Sequence, residues 1–212
     1  DASPYAMADQ RGQARPVGAG CDAGAVEGAA TSPWGPLSLV VDHDTDGADA
    51  YPGDGRCDDG AGRCTLRAAV AETNAWPFAD EVQIGPGVAP VVAGAAPQVS
   101  GDLVVDGGGS VVSLSTAPGL GQSGGALQLR NVALAGSGCR LSVTGGSTVL
   151  QGVTSCGVTS SAPLTVERSL MTGAVAAEGP TTITASTVSG VSGTAVSGPD
   201  VRIEASTVVD VV

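Results

Sequence analysis

The sequence predicts an all-β fold, a right-handed parallel β-helix (solenoid), with one short capping helix near residues 65–75. Three observations favour this fold. Strand-like repeats recur every 16 to 21 residues in the second half of the chain, the 33 glycines supply frequent turns without a collagen-like period, and only 2% of the residues are aromatic. A narrow core of stacked Val, Ile, Leu and Ala fits that composition, because such a core does not need aromatic rings.

The capping helix is predicted from one amphipathic stretch. Its apolar stripe at helical spacing consists of Leu66, Ala69, Val70 and Thr73. Thr65 is placed to act as the N-cap, and Trp76 followed by proline ends the run. A single helix ahead of a long series of strands is expected to cover the end of a stack.

The repeats predict the coils, which we place at residues 81–212. Five six-residue segments align without gaps, and they start at Leu129, Leu150, Val166, Ile183 and Ile203. Parallel strands this closely spaced cannot form βαβ units, which need roughly 30 residues each. In a solenoid, like residues of neighbouring coils stack, so we expect Ile183 over Ile203, Ser186 over Ser206 and Val188 over Val208.

Alternation within one repeat predicts which side chains enter the core. The period of two places Ile183, Ala185 and Thr187 inward, and a turn then brings Val188 back toward the core.

The net charge of the chain limits the kinds of molecule that it is expected to bind. The formal net charge is −12, and all nine basic residues are arginines. A chain this acidic is not expected to bind nucleic acid or an anionic membrane surface. No stretch approaches the roughly 20 apolar residues of a membrane-spanning helix, so no membrane span is predicted.

Four of the five cysteines suggest disulfide bonds. Cys57 and Cys64 bracket a tight loop, whereas Cys139 and Cys156 are 17 positions apart, close to one coil, and could lie one above the other. Two disulfides would place the protein outside the cell. The alternative is that buried free thiols fill small core sites. The pairing of Cys21 is open.

An acidic loop within residues 37–80 raises the question of calcium. Asp42, Asp44 and Asp46 alternate ahead of a glycine, as at the start of calcium-binding loops, and Asp49 or Asp54 would complete the shell. The predicted site thus comprises five carboxylates with calcium as the cofactor. The alternative is a solvated acidic loop, because aspartate is also common in turns.

Two segments resemble known proteins. Residues 64–70, Cys-Thr-Leu-Arg-Ala-Ala-Val, with matching stretches across 37–107, resemble the "CSLREA" amino-terminal motif of bacterial right-handed parallel β-helix surface proteins. The family's usual Glu is Ala68 here, which removes the capping-box partner of Thr65. The resemblance implies the same fold and a location at the cell surface.

Residues 1–28 resemble the carboxyl-terminal segment that closes many of the same proteins, in modules called choice-of-anchor. Because this segment precedes the opening motif, with residues 29–36 as a linker, we expect a junction between two β-helix modules. In that case Arg11 and Arg15 would face the end of a preceding module. The alternative is an ordinary amino-terminal extension.

The other predicted interface is the last repeat. The sequence stops inside that repeat, and no proline or charge cluster protects its strand edge. We therefore expect further chain, or another copy stacked end to end, to cover Val208, Val209, Val211 and Val212.

The sequence is compatible with three kinds of function. The favoured one is an extracellular structural or adhesive protein, a module of a tandem or end-to-end rod or filament on the cell surface, without catalysis. The alternatives are a polysaccharide lyase or hydrolase, and a non-catalytic module that binds surface glycans.

Hydrolysis needs two carboxylates roughly 5–10 Å apart. Glu167 and Glu204 align two coils apart with Thr184 between them, and nearby arginines favour a solvated outward face instead of a catalytic pair.

Overall fold

The computed structural model describes residues 35–116, 119–192 and 194–211. The described residues from Pro36 onward belong to one compact unit. The tail-like segment 1–28, most of the linker, Arg11, Arg15, Cys21 and Val212 lie outside the described residues, so the predictions made for them stay predictions.

The chain forms three parallel sheets, which we call A, B and C in the order in which each coil visits them. The strands, numbered in chain order, are as follows. Sheet A contains β1 Ser38–Val41, β2 Asp80–Ile84, β5 Leu103–Asp106, β8 Ala126–Arg130, β11 Ser147–Gln151, β14 Leu164–Glu167, β17 Thr181–Thr184 and β20 Val201–Glu204. Sheet B contains β3 Val91–Val92, β6 Val111–Leu114, β9 Ala133–Ala135, β12 Thr154–Ser155, β15 Leu170–Met171, β18 Thr187–Ser192 and β21 Thr207–Val211. Sheet C contains β4 Gln98–Val99, β7 Leu120–Gln122, β10 Leu141–Val143, β13 Val158–Ser160, β16 Val175–Ala177 and β19 Val196–Ser197.

This architecture confirms the predicted parallel β-solenoid. Each coil contributes one strand to each sheet, and strands of successive coils pair in parallel. The predicted starts of the repeats lie on one inward ladder of sheet A, formed by Leu129, Leu150, Val166, Ile183 and Ile203. Val188 pairs with Val208, and the backbone N–H of Ser186 donates to the Ser206 hydroxyl at 3.1 Å.

The core is a column of aliphatic side chains. Leu150, Val166 and Ile183 are fully buried on sheet A, as are Leu141 and Val158 on sheet C. Their burial supplies the main stabilisation, at about 25 cal/mol for each Å² of apolar surface removed from water.

The prediction that Ala185 and Thr187 point inward is wrong. Ala185 is exposed and Thr187 half-buried, whereas Ser186 and Val188 are buried. Ala185 adopts a left-handed conformation with φ of 49°. This bend between sheets A and B interrupts the alternation, so the residues after it face the opposite way.

The helix α1, Leu66–Ala75, begins and ends as predicted. The Thr65 hydroxyl accepts a hydrogen bond from the N–H of Ala68 at 3.1 Å and donates to the carbonyl of Gly47. The helix contacts strands β1 to β4, and its buried face includes Leu66 and Val70. It therefore covers the amino-terminal end of the coils.

Both predicted disulfides are present. The Cα atoms are 4.9 Å apart in Cys57–Cys64 and 5.2 Å apart in Cys139–Cys156. The second bond joins successive coils at the corner before sheet C, where the N–H of Cys156 also donates to the carbonyl of Cys139 at 3.2 Å. The expected stacking of these two cysteines is confirmed.

Candidate functional site

The outer surface of sheet A collects amide and charged side chains, and we call it the polar face. Strand register arranges its outward residues in two ladders. One ladder contains Ser38, Glu81, Val104, Gln128, Val149, Thr165, Thr182 and Arg202. The other contains Val40, Gln83, Asp106, Arg130, Gln151, Glu167, Thr184 and Glu204. Sheet C presents mainly small outward residues instead, such as Ser142, Thr159 and Ala176. The polar face therefore carries more charged and amide side chains than the outer surface of sheet C.

The predicted alignment of two acids on this face is confirmed. Glu167 pairs in register with Thr184, and Thr184 pairs with Glu204. Two rungs of about 4.8 Å separate the strands, so the two Cα atoms are about 10 Å apart. Gln151 donates to Glu167 at 3.2 Å, and the Nε of Arg202 donates to Glu204 at 2.8 Å. Each carboxylate thus has a neighbour of its own, as expected for a solvated outward face.

A groove of about 500 Å³ lies at the amino-terminal part of the polar face. We call it the acid groove, because Asp80, Glu81 and Asp102 are among its lining residues. Val104 and Val149 contribute apolar surface to it. Strands β1, β2, β5, β8 and β11 contribute residues to this lining, and Asp102 directly precedes β5.

Asp80 differs from the other acids of this lining, because it pairs with Leu103 on the inward ladder of sheet A and its side chain faces the core. It is only 2% exposed. One carboxylate oxygen, Oδ1, accepts a hydrogen bond from the N–H of Leu37 at 2.7 Å, whereas the buried Oδ2 has no hydrogen-bond partner. Burial raises the pKa of Asp80, and the Leu37 hydrogen bond only partly opposes this. The burial of Asp80 was not predicted from the sequence, and the available signal was its alternation with Val82 and Ile84 in β2.

The five carboxylates predicted to bind calcium are distributed over separate backbone contacts. Three of them join distant segments. Asp42 accepts from the N–H of Cys64 at 2.8 Å, Asp44 from that of Ala89 at 2.7 Å, and Asp46 from those of Ala93 and Gly94 at 2.9 Å. The other two shape their own turns, since Asp49 accepts from Tyr51 at 2.8 Å and Asp54 accepts from Arg56 at 2.9 Å.

Asp46 also forms an ion pair with Arg67 of α1, at 2.7 Å from the arginine Nε. Burial by itself would raise the pKa of Asp46. The hydrogen bonds from Arg67, Gly94 and Ala93 and the arginine charge outweigh it, so the pKa is lowered. This carboxylate joins the acidic loop to the helix and to the first coil.

These contacts do not fit a calcium cage. Within the described residues, no three His, Cys, Asp or Glu side chains come together in a group that could hold a metal. Calcium binding stays a prediction, and a melting temperature that falls on adding a chelator would be needed to establish it.

Glu72 is an anchor that sequence analysis missed. Its side chain is fully buried, and its two oxygens accept hydrogen bonds from the N–H groups of Gly53 and Gly55, each at 2.5 Å. The available signal was an acidic residue on the buried side of α1 together with an upstream Gly-x-Gly. This carboxylate holds the acidic loop against the helix.

The two ends of the stack of coils differ in how far their inward side chains are covered. At the amino-terminal end, α1 contacts the end strands β1, β3 and β4. At the other end, Ile203 is 43% exposed and Val208 is 38% exposed, although Ile183 and Val188 one coil earlier are fully buried. We call β19, β20 and β21 the terminal rung. Val209, also predicted as an interface residue, is 45% exposed, and Val211 lies within β21.

No protein-family model matches this chain, and neither the curated proteins nor the solved structures contain a match. The resemblances to CSLREA-type and choice-of-anchor segments therefore stay predictions. Among the described residues, no helix combines the length and apolar character needed to cross a bilayer.

Proposed function

We propose that this protein is an extracellular structural or adhesive β-solenoid, a module of a rod that grows by stacking at the terminal rung. The observation that carries the proposal is the difference between equivalent positions of the last two coils. Ile203 and Val208 have the inward register of Ile183 and Val188 but remain accessible to water. A further rung would bury them and would satisfy the strand edge.

The rung that covers these positions belongs either to further chain of the same protein or to a second copy of it, and end-to-end assembly is the second case. Strands β1 and β20 are the two end strands of sheet A. Parallel pairing of β20 with β1 of another copy would continue sheet A from one molecule into the next, and the exposed inward side chains of the terminal rung would then pack against α1 of that copy, which covers the end of its coils. Such a head-to-tail contact does not close on itself, so repetition gives a filament.

The disulfides support the extracellular part of the proposal. Disulfide bonds persist in oxidising compartments and are rare in the cytosol. The Cys139–Cys156 bond lies between coils, where it would keep neighbouring rungs of a rod in register under load.

Stacking is tested by sedimentation of the purified protein over a wide range of concentration. We expect assemblies larger than a monomer, and we expect Val208→Lys to reduce them, because a charge would then face the incoming rung. Thr182→Lys is the matched control, since Thr182 faces outward on the interior strand β17. Unchanged melting of both variants would show that the fold is retained.

A wild-type protein that sediments as a monomer at every concentration would refute stacking, as would equal assembly of the Val208→Lys variant. Location is tested separately by mild protease treatment of intact source cells. Release of coil peptides from the cell surface is expected, and their recovery only after lysis would contradict an extracellular role.

The proposal includes the absence of catalysis. A polysaccharide lyase or hydrolase would use the polar face, where Glu167 and Glu204 already contact neighbouring side chains. An assay on polygalacturonate with added calcium tests this part, and measurable depolymerisation would overturn it.

A further inference from the structure

The amino-terminal end of the stack, which we call the head, begins with an incomplete coil. Strand β1 starts sheet A one rung ahead of β2, whereas sheets B and C start with β3 and β4 of the coil that follows. Each of the three sheets therefore ends at the head in an outer strand edge. An uncovered edge of this kind is a template for pairing with another strand.

The acidic loop closes the outer edge of sheet B. Three N–H groups follow one another there at the two-residue spacing of a strand edge. Val91 donates to the backbone carbonyl of Asp44 at 2.7 Å, and Ala89 donates to the Asp44 carboxylate at 2.7 Å. Ala93 donates to the Asp46 carboxylate at 2.9 Å. The two aspartates thus accept the hydrogen bonds that a preceding strand would accept.

Asn74 of α1 closes the outer edge of sheet C. Its side-chain nitrogen donates to the carbonyl of Gln98 at 2.6 Å, and its Oδ1 accepts from the N–H of Ser100 at 2.8 Å. A side-chain amide has both a donor and an acceptor, so it replaces one peptide group of a missing strand.

Sheet A keeps an open edge at the head. The carbonyls of Leu37 and Val41 accept hydrogen bonds from the coil of β2, so the alternation of a parallel ladder turns the N–H and C=O groups of Ser38 and Val40 away from β2. Within the described part of the chain, β2 is the only strand that pairs with β1. The side chain of Val40 is also 51% exposed.

The outer edge of β20 in the terminal rung is complementary to that of β1. The carbonyls of Asp200 and Glu204 accept from the coil of β17, so the N–H and C=O groups of Ile203 face away from it. Leu39 and Ile203 belong to the same inward ladder. Continuing that ladder between two molecules would place the carbonyl of Ile203 opposite the N–H of Val40.

We infer that the head accepts one strand only, at β1, and that this strand is β20 of a second copy. Asp44, Asp46 and Asn74 restrict the contact to sheet A, because they already bind the edges of sheets B and C. The inference rests on the proposed stacking and identifies the contact through which the stacking occurs.

The test is amide hydrogen exchange of the purified protein at rising concentration, with each rate compared with that of an unfolded peptide. In the monomer, Val91 and Ser100 should be protected roughly tenfold more than Ser38 and Val40, because only the first two donate hydrogen bonds to the acidic loop and to Asn74. When the protein stacks, protection of Ser38 and Val40 should rise, and that of Val91 and Ser100 should stay the same.

Two pairs of variants separate the open edge from the closed ones. Val40→Pro removes the outward N–H of β1, and proline is tolerated at such an edge. It should move assembly to roughly tenfold higher concentration, whereas the control Val40→Thr keeps the N–H and should assemble like the wild type. Asn74→Ala should reduce the protection of Ser100 roughly tenfold, and Asn74→Asp should preserve it, since aspartate retains the acceptor. Melting curves report whether each variant keeps the fold.

Stacking that leaves Ser38 and Val40 unprotected would overturn the inference while the proposed stacking stands. Weak protection of Val91 and Ser100 in the monomer would overturn the closure of sheets B and C. Assembly that ends at dimers would show two β1 edges pairing with each other, which rules out β20 as the docking strand. A protein that is monomeric at every concentration refutes the proposed function, and docking at β1 with it.

Discussion

At the scale of single residues, the bend between sheets A and B sets a conformational demand that alanine meets poorly. The same register position is occupied by Asn131, Gly152, Arg168, Ala185 and Ala205, all with positive φ. Glycine reaches this region without strain, and asparagine is tolerated there. The bend is therefore a property of every coil from β8 onward, and Arg168, Ala185 and Ala205 are the members that meet it with strain.

Ala185→Gly is expected to stabilise the protein by about 0.5–1 kcal/mol, because relief of the left-handed strain exceeds the extra entropy of glycine in the unfolded chain. Urea unfolding measures the change. Ala176→Gly is the matched control, since Ala176 lies within strand β16, and it should destabilise by about 0.5–1 kcal/mol. Equal losses in both variants would contradict the strain at Ala185.

The raised pKa of Asp80 predicts how the free energy of unfolding changes with pH. Its pKa is raised on folding, so its stabilising contribution is complete below the ordinary carboxyl pKa and is lost as the pH rises through the folded-state value. The Asp80→Asn variant lacks this titration. Relative to the variant, the wild type should therefore become more stable as the pH falls from 7 to 4. Parallel pH profiles of unfolding free energy in the two proteins would show that Asp80 does not titrate abnormally.

At the scale of elements, α1 functions as both cap and anchor. Its apolar face covers the end of the core, Arg67 pairs with Asp46, and Glu72 holds Gly53 and Gly55. These contacts explain how an acidic loop with little regular structure has a defined conformation. The helix start tolerates Ala68 in place of a capping-box Glu, because the Thr65 hydroxyl already accepts from the N–H of residue 68.

Glu72→Gln is expected to cost about 1.5–3 kcal/mol, because the amide nitrogen replaces one acceptor and faces a glycine N–H. Urea unfolding measures the loss, and hydrogen exchange locates it, since the amides of Gly53 and Gly55 should exchange faster. Glu178→Gln, at an exposed position, is the control and should have little effect. Unchanged exchange at both glycines would rule out the anchoring role.

At the scale of the whole molecule, stability is built from contacts between neighbouring coils. In such a stack, each coil interacts only with the coils beside it, so a bond between coils acts on a local unit. The Cys139–Cys156 bond joins the coil of β8–β10 to that of β11–β13.

The double variant Cys139→Ser, Cys156→Ser is expected to lose about 3 kcal/mol, the amount predicted for a closed loop of this length. Calorimetry under oxidising conditions measures the loss. The wild type treated with reductant should lose at least as much, since reduction opens the Cys57–Cys64 bond as well. A variant as stable as the oxidised wild type would mean that coil packing alone fixes the register.

The sequence by itself determined the features that depend on local spacing. Three of them follow from the repeat length, because a parallel stack makes residues one repeat apart into neighbours: the register of Ile183 with Ile203, the stacking of Cys139 over Cys156 and the alignment of Glu167 with Glu204. The extent of α1 follows from the helical spacing of its apolar residues and from its capping residues. Only the tertiary structure decided where unrelated segments meet. Four features depend on long-range packing and desolvation, which produce no periodic pattern in the sequence. They are the inversion after Ala185, the burial of Glu72, the dispersal of the loop carboxylates and the unpartnered oxygen of Asp80.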